Sequence, residues 1–261
     1  MSLVEEKIKG VPAVAHTIRN NKIIGTVSYD SNDTSKVDLL ELYDNPGECY
    51  FPALTDFETT DQVDRFFLSG PSGCGKSTWI RNLIHVFGLK YKKGRVCLFS
   101  NKERDDVLDD VVERMPVDDA TIMGGVYTMD YLSSRSKVTL VIFDDIEDFT
   151  GKVRKEVERL RNECFRCGRS YGIYTVGVQH DPIGGWQTKT QIYEASHIVV
   201  FPARAKRDTY NKLYDKLKVP MDIVTYIKSH SSPPRAANYV CFRTQFPYCV
   251  ISDKYVICDC N

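Results

Sequence analysis

A short glycine-rich motif constrains the fold of this chain more than any other feature of its sequence. Residues 70–77 read GPSGCGKS and match the pattern G-x-x-x-x-G-K-[ST]. The fixed positions of that pattern are occupied by Gly70, Gly75, Lys76 and Ser77. An apolar run precedes the motif at residues 66–69, and apolar residues at helical spacing follow it. The motif therefore has the strand before it and the helix after it that a phosphate-binding loop requires.

Each residue type in the motif has a physical role in binding phosphate. Glycine lets the backbone curl so that consecutive N–H groups and a helix N-terminus face the phosphates. We expect Lys76 to reach the β- and γ-phosphates and the Ser77 hydroxyl to ligate Mg²⁺. Thr78 either contacts the α-phosphate or is an ordinary helix residue. The predicted nucleotide-binding residues are Gly70, Pro71, Ser72, Gly73, Cys74, Gly75, Lys76, Ser77 and Thr78.

A continuous apolar run at residues 138–143 ends in two acids, Asp144 and Asp145. Such a run predicts a central strand, and its acids lie at the strand end where ligands bind in open α/β sheets. Behind a phosphate-binding loop it matches a Walker B segment. We expect Asp144 to hold Mg²⁺ and Asp145 to act as the general base for water. Glu147 and Asp148 are alternative bases, or simply the N-terminal acids of the next helix.

The order of the elements predicts an α/β fold, a RecA-like P-loop NTPase with a central, mostly parallel sheet. The predicted strands of that sheet are residues 66–69, 96–100, 138–143, 174–178 and 197–201, and helices are predicted at about 105–114 and 207–217. A basic amphipathic helix follows the Walker B strand and places Lys152, Arg154, Lys155, Arg159 and Arg161 away from its apolar side. We expect residues 1–60 to form a β-rich N-terminal segment and residues 61–261 to form a P-loop ATPase domain that ends in a short β-meander.

An additional strand and helix lie between the phosphate-binding loop and Asp144. The first strand and the Walker B strand are therefore not expected to be consecutive, which favours the branch of catalytic-acid ATPases that includes RecA-like motors. Neither an LSGGQ sequence nor the NKxD base-reading sequence of GTPases occurs in the chain. These observations favour ATP, with Mg²⁺, as the ligand.

Composition excludes a global electrostatic signal for nucleic acid, because 35 basic residues balance 35 acidic ones. The apolar run at 138–143 is far shorter than the roughly 20 residues of a membrane helix, so no membrane span is expected. Nine cysteines without an even framework favour reduced thiols in a cytosol-like compartment. A zinc site is the alternative, because Cys164 and Cys167 form a CxxC and Cys258 and Cys260 lie near the end.

Residues 166–180 read RCGRSYGIYTVGVQH, and residues 195–202 read ASHIVVFP. Together with the two nucleotide motifs, this region resembles the viral genome-packaging ATPases of the FtsK/HerA superfamily, including the poxvirus type, over residues 64–220. Ser170 departs from the family's usual histidine, and Asp145 stands where cellular relatives carry glutamate. The resemblance implies an ATP-hydrolysing translocase that packages viral double-stranded DNA into a preformed capsid.

The resemblance also implies roles for two further residues. Gln179 would be a polar sensor beside the phosphate-binding loop; the alternative is a buried glutamine that hydrogen-bonds a loop. Arg169 would be an arginine finger acting in trans, with Arg166 and Arg204 as rivals and a plain surface arginine as the alternative. A trans finger implies a homo-oligomeric ring.

The partners implied by the resemblance are double-stranded DNA and a capsid or portal-vertex protein. The implied location is the viral assembly site in the host cytoplasm, with the virion as a second location. The basic cluster predicted to contact DNA consists of Arg204, Lys206, Arg207, Lys212 and Lys216, for which a solvated helix face is the alternative. Competing functions are another RecA- or AAA-type ring ATPase, such as a helicase or remodeller, and a small-molecule P-loop kinase.

Overall fold

Two β-sheets organise the chain, which is described here by a computed structural model over residues 2–4, 13–20, 22–30, 37–41, 47–181, 186–202, 207–229 and 237–259. The N-terminal strands are β1 (Ser2–Val4), β2 (Ala13–Arg19), β3 (Lys22–Asp30), β4 (Val37–Glu41) and β5 (Glu48–Pro52). Four of them form an antiparallel sheet in the order β1-β3-β2-β5. The β-rich character expected for this segment is confirmed.

The remaining strands belong to a sheet of ten strands. They are β6 (Arg65–Ser69), β7 (Arg95–Ser100), β8 (Glu113–Arg114), β9 (Thr139–Asp144), β10 (Ile173–Gln179), β11 (His197–Val200), β12 (Val240–Arg243), β13 (Cys249–Ser252) and β14 (Tyr255–Asp259). The order is β4-β14-β13-β12-β11-β6-β10-β9-β7-β8. The six strands from β11 to β8 run parallel, and those from β12 to β4 continue the sheet antiparallel. The predicted parallel sheet and C-terminal meander are therefore confirmed.

Strand β10 separates the two strands that carry the nucleotide motifs. Strand β6 leads into the phosphate-binding loop, and β9 ends at the Walker B acids; β10 pairs with both. These two strands are therefore separated in the sheet as well as in the sequence, where β7 and β8 lie between them. Every residue of β9 is buried, as its unbroken apolar run predicts for a strand covered on both faces.

Helices cover both faces of the parallel strands. They are α1 (Phe57–Thr60), α2 (Lys76–Lys90), α3 (Met129–Ser134), α4 (Gly151–Cys167), α5 (Trp186–Glu194), α6 (Arg207–Leu217) and α7 (Met221–Ser229). Alternate residues of β6 point to opposite faces: Phe66 and Leu68 join a core shared with α2 and the N-terminal sheet, and Phe67 joins one shared with α5, α6 and α7. Residues of α3 and α4 pack with β7, β9 and β10 in a third core. The active-site strands are thus held between two apolar layers.

The prediction of a helix at about residues 105–114 is wrong. Residues 105–112 form turns, and Glu113–Arg114 is the short strand β8, which pairs with β7. The Asp105 carboxylate accepts hydrogen bonds from the N–H groups of Val107 and Leu108, and Asp109 accepts one from the N–H of Asp105. These local side-chain bonds compete with the helical bonding pattern, which is why an aspartate-rich run favours turns.

The predicted boundary near residue 60 stays a prediction. Strand β4 lies before that boundary, yet it pairs with β14 in the large sheet. The Tyr239 hydroxyl also donates a hydrogen bond to the carbonyl of Tyr50. The N-terminal strands therefore share hydrogen bonds and a core with the rest of the chain.

The expectation of uniformly reduced cysteines is wrong for one pair. Cys249 and Cys258 lie opposite each other on β13 and β14 with their Cα atoms 4.2 Å apart, and their sulfurs are bonded. Cys164 is buried and Cys167 is exposed. Among the described residues, which do not include Cys260, no group of three or more His, Cys, Asp or Glu side chains could hold a metal ion.

No helix in the described parts of the chain is both long enough and apolar enough to cross a bilayer.

Candidate active site

The phosphate-binding loop begins at Gly70, directly after β6, and ends at the first residue of α2. Gly73 and Gly75 have φ angles of +71° and +106°, a region that residues with a Cβ rarely adopt. Gly75 is the N-cap of α2, and no side chain caps the helix there. The first N–H groups of α2 are therefore available to an anion, and the helix dipole favours negative charge at this point.

Lys76 lies inside the loop rather than in solvent. Its ammonium group donates hydrogen bonds to the carbonyls of Gly70 at 2.7 Å and Pro71 at 3.1 Å. Only 9% of Lys76 is exposed. A buried ammonium held by loop carbonyls is positioned to bind phosphate oxygens that enter the loop.

Ser77 and Thr78 differ in their surroundings. The Ser77 hydroxyl lies 3.3 Å from a carboxylate oxygen of Asp105, in the acidic turn that follows β7. Thr78 is exposed on α2. Asp105 was not predicted as a site residue, and its contact with Ser77 adds a carboxylate beside the predicted Mg²⁺ ligand.

The two Walker B acids lie at the carboxyl edge of the sheet, by which we mean the edge where the parallel strands end. Asp144 is the last residue of β9, and 3% of it is exposed. Burial raises the pKa of Asp144 from 3.8 to about 6, and the neighbouring charge of Asp145 adds to that increase. A cation bound near this carboxylate would therefore stabilise its ionised form.

Asp145 has a backbone conformation unusual for a residue with a side chain. Its φ angle is +50°, in the left-handed region. This turn ends β9 and starts a 3-10 helix at Ile146–Asp148. Glu147 and Asp148 are the acids in the first turn of this 3-10 helix, which is the helix that follows Asp145. The longer helix α4 begins only at Gly151 and has no acid in its first turn.

Two side chains that the sequence reading missed contact Asp145. Lys102 forms an ion pair with Oδ2 of Asp145, and its Nζ lies 3.9 Å from Oδ2 of Asp144. The Nε2 atom of His180 lies 3.3 Å from Oδ1 of Asp145. Lys102 follows β7 and His180 follows β10, so the signal that could have found them is their position just after a parallel strand.

Gln179 ends β10 beside the phosphate-binding loop. It lies opposite Ser69 in the parallel pairing, and 4% of it is exposed. Its backbone carbonyl accepts a hydrogen bond of 3.2 Å from the N–H of Gly70. The end of β10 is thus fixed directly to the first residue of the loop, which places Gln179 at the same edge as the Walker B acids.

Arg169 lies at the opposite, amino edge of the sheet. It belongs to the turn Gly168–Tyr171, which precedes β10. Burial lowers the pKa of Arg65, at the start of β6, and the nearby charge of Arg169 adds to that decrease. Because β10 has seven residues at roughly 3.3 Å per residue, about 20 Å separates its two ends. Arg169 therefore does not reach the phosphate-binding loop of the same chain.

The other predicted arginines and the basic cluster are only partly described. Arg166, in the last turn of α4, is exposed, and its guanidinium lies 3.5 Å from the Thr190 hydroxyl. Lys212 and Lys216 are exposed on α6. Arg204, Lys206 and the side chain of Arg207 lie outside the described residues.

The residues at the carboxyl edge fit Mg²⁺ and a nucleotide triphosphate. The uncapped start of α2 and the buried ammonium of Lys76 supply the donors that phosphates need. Ser77 and Asp144 supply hard oxygen ligands of the kind that Mg²⁺ prefers. These residues would hold the ion and the phosphates.

Comparison with known proteins supports this fold. No known protein-family profile matches the chain. The uncharacterized protein V3 of Sputnik virophage is 29% identical over 140 residues, which are 52% of this chain and 55% of that protein. The match therefore spans about half the length of this curated relative.

Three solved structures are similar in fold. The genome-packaging NTPase B204 of Sulfolobus turreted icosahedral virus 2, in complex with AMPPCP, has a TM-score of 0.51 and 15% identity over 73% of this chain and 97% of that chain. The pCW3 conjugation coupling protein TcpA, with ATPγS, has a TM-score of 0.50 and 11% identity over 91% of this chain and 75% of that chain. The cytoplasmic domain of the type VII secretion ATPase EccC of Thermomonospora curvata has a TM-score of 0.51 and 12% identity over 86% of this chain and 29% of that chain.

At these identities the similarity concerns the fold. The predicted resemblance to viral packaging ATPases is confirmed at this level. The chain has the RecA-like α/β fold of P-loop ATPases, which it shares with a viral genome-packaging NTPase, a conjugation coupling protein and a secretion ATPase.

Proposed function

We propose that this chain is an ATP-hydrolysing motor that moves viral double-stranded DNA into a preformed capsid. The observation that carries the proposal is the meeting of three strand ends at the carboxyl edge. They are the loop after β6, Gln179 at the end of β10 and the Walker B acids at the end of β9. The sequence match to a virophage protein favours a viral role, and the packaging NTPase B204 is a viral protein with this fold.

Binding of ATP rests on the loop and α2. The N–H groups of the loop and of the uncapped helix N-terminus would donate to the phosphates, and Lys76 would exchange its carbonyl partners for β- and γ-phosphate oxygens. Ser77 and Asp144 would hold Mg²⁺, which neutralises charge on the phosphates when it is bound. The positive charges of Lys102 and Lys76 already favour ionised Asp144, although burial opposes it more strongly.

Hydrolysis rests on Asp145 and Gln179. The Asp145 carboxylate would accept a proton from water while the water oxygen bonds to the γ-phosphorus and the bond to the bridging oxygen of ADP breaks. Gln179 would orient that water or donate to the γ-phosphate. Lys102 and His180 fix the two oxygens of Asp145, so they act as positioning residues for the base.

The position of Arg169 supports the proposal that the chain assembles into a ring. Since Arg169 lies about 20 Å along β10 from its own site, a catalytic role for it requires the site of a neighbouring subunit. Inserted there, the guanidinium would neutralise charge on the phosphoryl group in the transition state. The proposed partners of the ring are double-stranded DNA and a capsid or portal-vertex protein, and the proposed location is the viral assembly site in the host cytoplasm.

The test is the rate of ATP hydrolysis by the assembled protein with and without blunt duplex DNA. We expect hydrolysis that duplex stimulates and that Lys76→Ala abolishes, with Lys92→Ala, an exposed lysine after α2, as the matched control. Assembled protein that neither hydrolyses ATP nor binds duplex would overturn the proposal. Hydrolysis coupled to strand separation, or stimulated by a protein substrate only, would assign the chain to the helicases or remodellers instead.

A further inference from the structure

A cavity of about 630 Å³ opens at the amino edge of the sheet, away from the phosphate-binding loop. Three lining residues fix its place. Arg65 is the first residue of β6, Ala195 comes two residues before β11, and Arg243 pairs with His197 at the start of β11. The end of α6, the start of α7 and the connection between them also line it.

The cavity carries an excess of positive charge. Four cationic side chains line it, Arg65, Lys216, Lys218 and Arg243, against one carboxylate, that of Glu194. Glu194 lies 3.5 Å from Arg65. The chain as a whole has equal numbers of acidic and basic residues, so this excess is local. An anionic partner is therefore favoured at this surface.

Large apolar side chains surround the opening. Tyr193 and Tyr248 line the cavity and are 70% and 51% exposed. Met221 follows the lining residue Pro220 and is 75% exposed, and Phe246 follows Gln245 and is 63% exposed. Exposed apolar and tyrosine side chains that gather at one site beside arginines are typical of protein interfaces.

A segment of the same chain has the complementary character. Residues 116–130 contain the three exposed acids Asp118, Asp119 and Asp130 and no lysine or arginine. Met123 and Val126 in this segment are 45% and 44% exposed. We call residues 116–130 the acidic segment. The negative charge of the acidic segment thus complements the positive charge of the cavity, and both surfaces expose apolar side chains.

The two surfaces lie at different sides of the parallel strands. The acidic segment follows β8 and packs through Ile122 and Tyr127 on the core beneath α4. The cavity lies beyond β6, at β11 and β12. Two different surfaces that fit each other give a head-to-tail contact, which closes into a ring when the rotation allows.

We propose that the cavity of one subunit binds the acidic segment of the next copy of this chain. The inference deepens the proposed function and rests on it, because a finger acting in trans needs neighbouring subunits in a fixed head-to-tail arrangement. Lys216 and Lys218 pair with Asp119 and Asp130 of the neighbour, and Tyr193 and Tyr248 cover Met123 and Val126.

The test mixes two variants with opposite charge changes. The cavity variant carries Lys216→Glu and Lys218→Glu, and the segment variant carries Asp119→Lys and Asp130→Lys. Asp118 is left unchanged because its carboxylate caps the turn at Thr121. In sedimentation velocity at low salt with AMPPNP, we expect the unmodified chain to assemble and each variant alone to stay monomeric. An equimolar mixture should assemble again, because each contact between the two different variants joins opposite charges.

The control carries Lys152→Glu and Lys155→Glu, two exposed lysines of α4 that do not line the cavity, and it should assemble like the unmodified chain. Unchanged assembly of both variants, or a mixture of folded variants that stays monomeric, would overturn the inference. So would normal assembly of the cavity variant with loss of duplex binding, which would assign the cavity to DNA.

The same samples separate this inference from the proposed function. A chain that assembles and hydrolyses ATP in the presence of DNA, but whose assembly does not respond to the charge changes, keeps the function and loses the inference. A chain whose assembly follows the charge pattern, but which neither hydrolyses ATP nor binds DNA, keeps the inference and loses the function. Circular dichroism spectra confirm that each variant is folded.

Discussion

The Nε2 atom of His180 lies 3.3 Å from a carboxylate oxygen of Asp145, although these residues follow different strands. Lys102, which follows a third strand, holds the other oxygen. Asp145 itself has a left-handed backbone conformation, so its side chain is fixed both by its turn and by its two partners. The base proposed for hydrolysis is therefore oriented by the ends of three parallel strands.

Removal of the Lys102 ion pair should slow hydrolysis more than it weakens binding. In Lys102→Ala, Asp145 loses one of its two partners, and we expect kcat to fall about tenfold, which corresponds to roughly 1.4 kcal/mol in the barrier. KM for ATP should stay within about twofold, because no loop contact changes. Steady-state kinetics with Lys92→Ala as the control measure this. An equal loss of kcat in Lys92→Ala, or an unchanged kcat in Lys102→Ala, would show that Lys102 does not position Asp145 for hydrolysis.

Binding of Mg²⁺ should weaken below about pH 6. Burial raises the pKa of Asp144 to about 6, so the carboxyl is protonated below that pH and cannot ligate the ion. We expect the apparent Kd for Mg²⁺, measured with a fluorescent ATP analogue, to rise about tenfold per pH unit below this value. Asp144→Asn should bind Mg²⁺ weakly at every pH. If the apparent Kd of that variant rose with falling pH in the same way, a group other than Asp144 would be the one that titrates.

Stability should fall in acid in part through His197. Burial lowers its pKa from 6.5 to about 4, although attraction to Asp64 opposes this change. Between these values the unfolded chain binds a proton that the folded chain does not, so falling pH favours unfolding, at a cost that reaches about 3 kcal/mol. Urea unfolding at pH 7 and pH 4.5 measures the loss. It should be smaller in His197→Gln, and an equal loss in that variant would contradict the account.

Arg169 should act on a neighbouring subunit. Arg169→Ala subunits lack the finger but keep an intact site, and Lys76→Ala subunits lack the site but keep the finger. Mixed in one assembly, they should recover part of the ATPase activity that each lacks alone. In the control mixture, a double variant with both Lys76→Ala and Arg169→Ala replaces the Lys76→Ala subunits. No subunit of that mixture supplies a finger, so activity should not recover. Inactivity despite confirmed mixing would count against a trans finger.

Local motifs predicted the strand ends that meet at the carboxyl edge. The glycine-rich loop and the Walker B acids are contiguous in sequence, and each is a strand end whose chemistry follows from a few neighbouring residues. The place of Gln179 beside the loop was implied by family resemblance, and β10 indeed pairs with β6. The predicted helix at 207–217 also matches α6.

Contacts between distant residues could not be read in the same way. Lys102 and His180 meet Asp145 only because β7, β9 and β10 are neighbours in the sheet. The disulfide between Cys249 and Cys258 depends on the register of two strands. Such contacts follow from which strands are neighbours in the sheet, and a single local motif carries no information about that order.

Periodicity also placed one charged side chain wrongly. Arg161 was expected on the solvated side of α4, but only 1% of it is exposed. Burial lowers its pKa to about 10, and the charges of Glu158 and Glu147 oppose that decrease. Neighbouring carboxylates made this position acceptable for an arginine, and periodicity carries no information about such partners.

The most direct test of the account is ATP-driven movement along DNA. A duplex carrying a third-strand oligonucleotide at one end reports translocation when that oligonucleotide is displaced. We predict displacement by the assembled protein with Mg²⁺ and ATP, and none by Asp145→Asn, which should still bind a fluorescent ATP analogue. Displacement by Asp145→Asn at the normal rate, or hydrolysis of ATP by the unmodified protein without any displacement, would contradict the account.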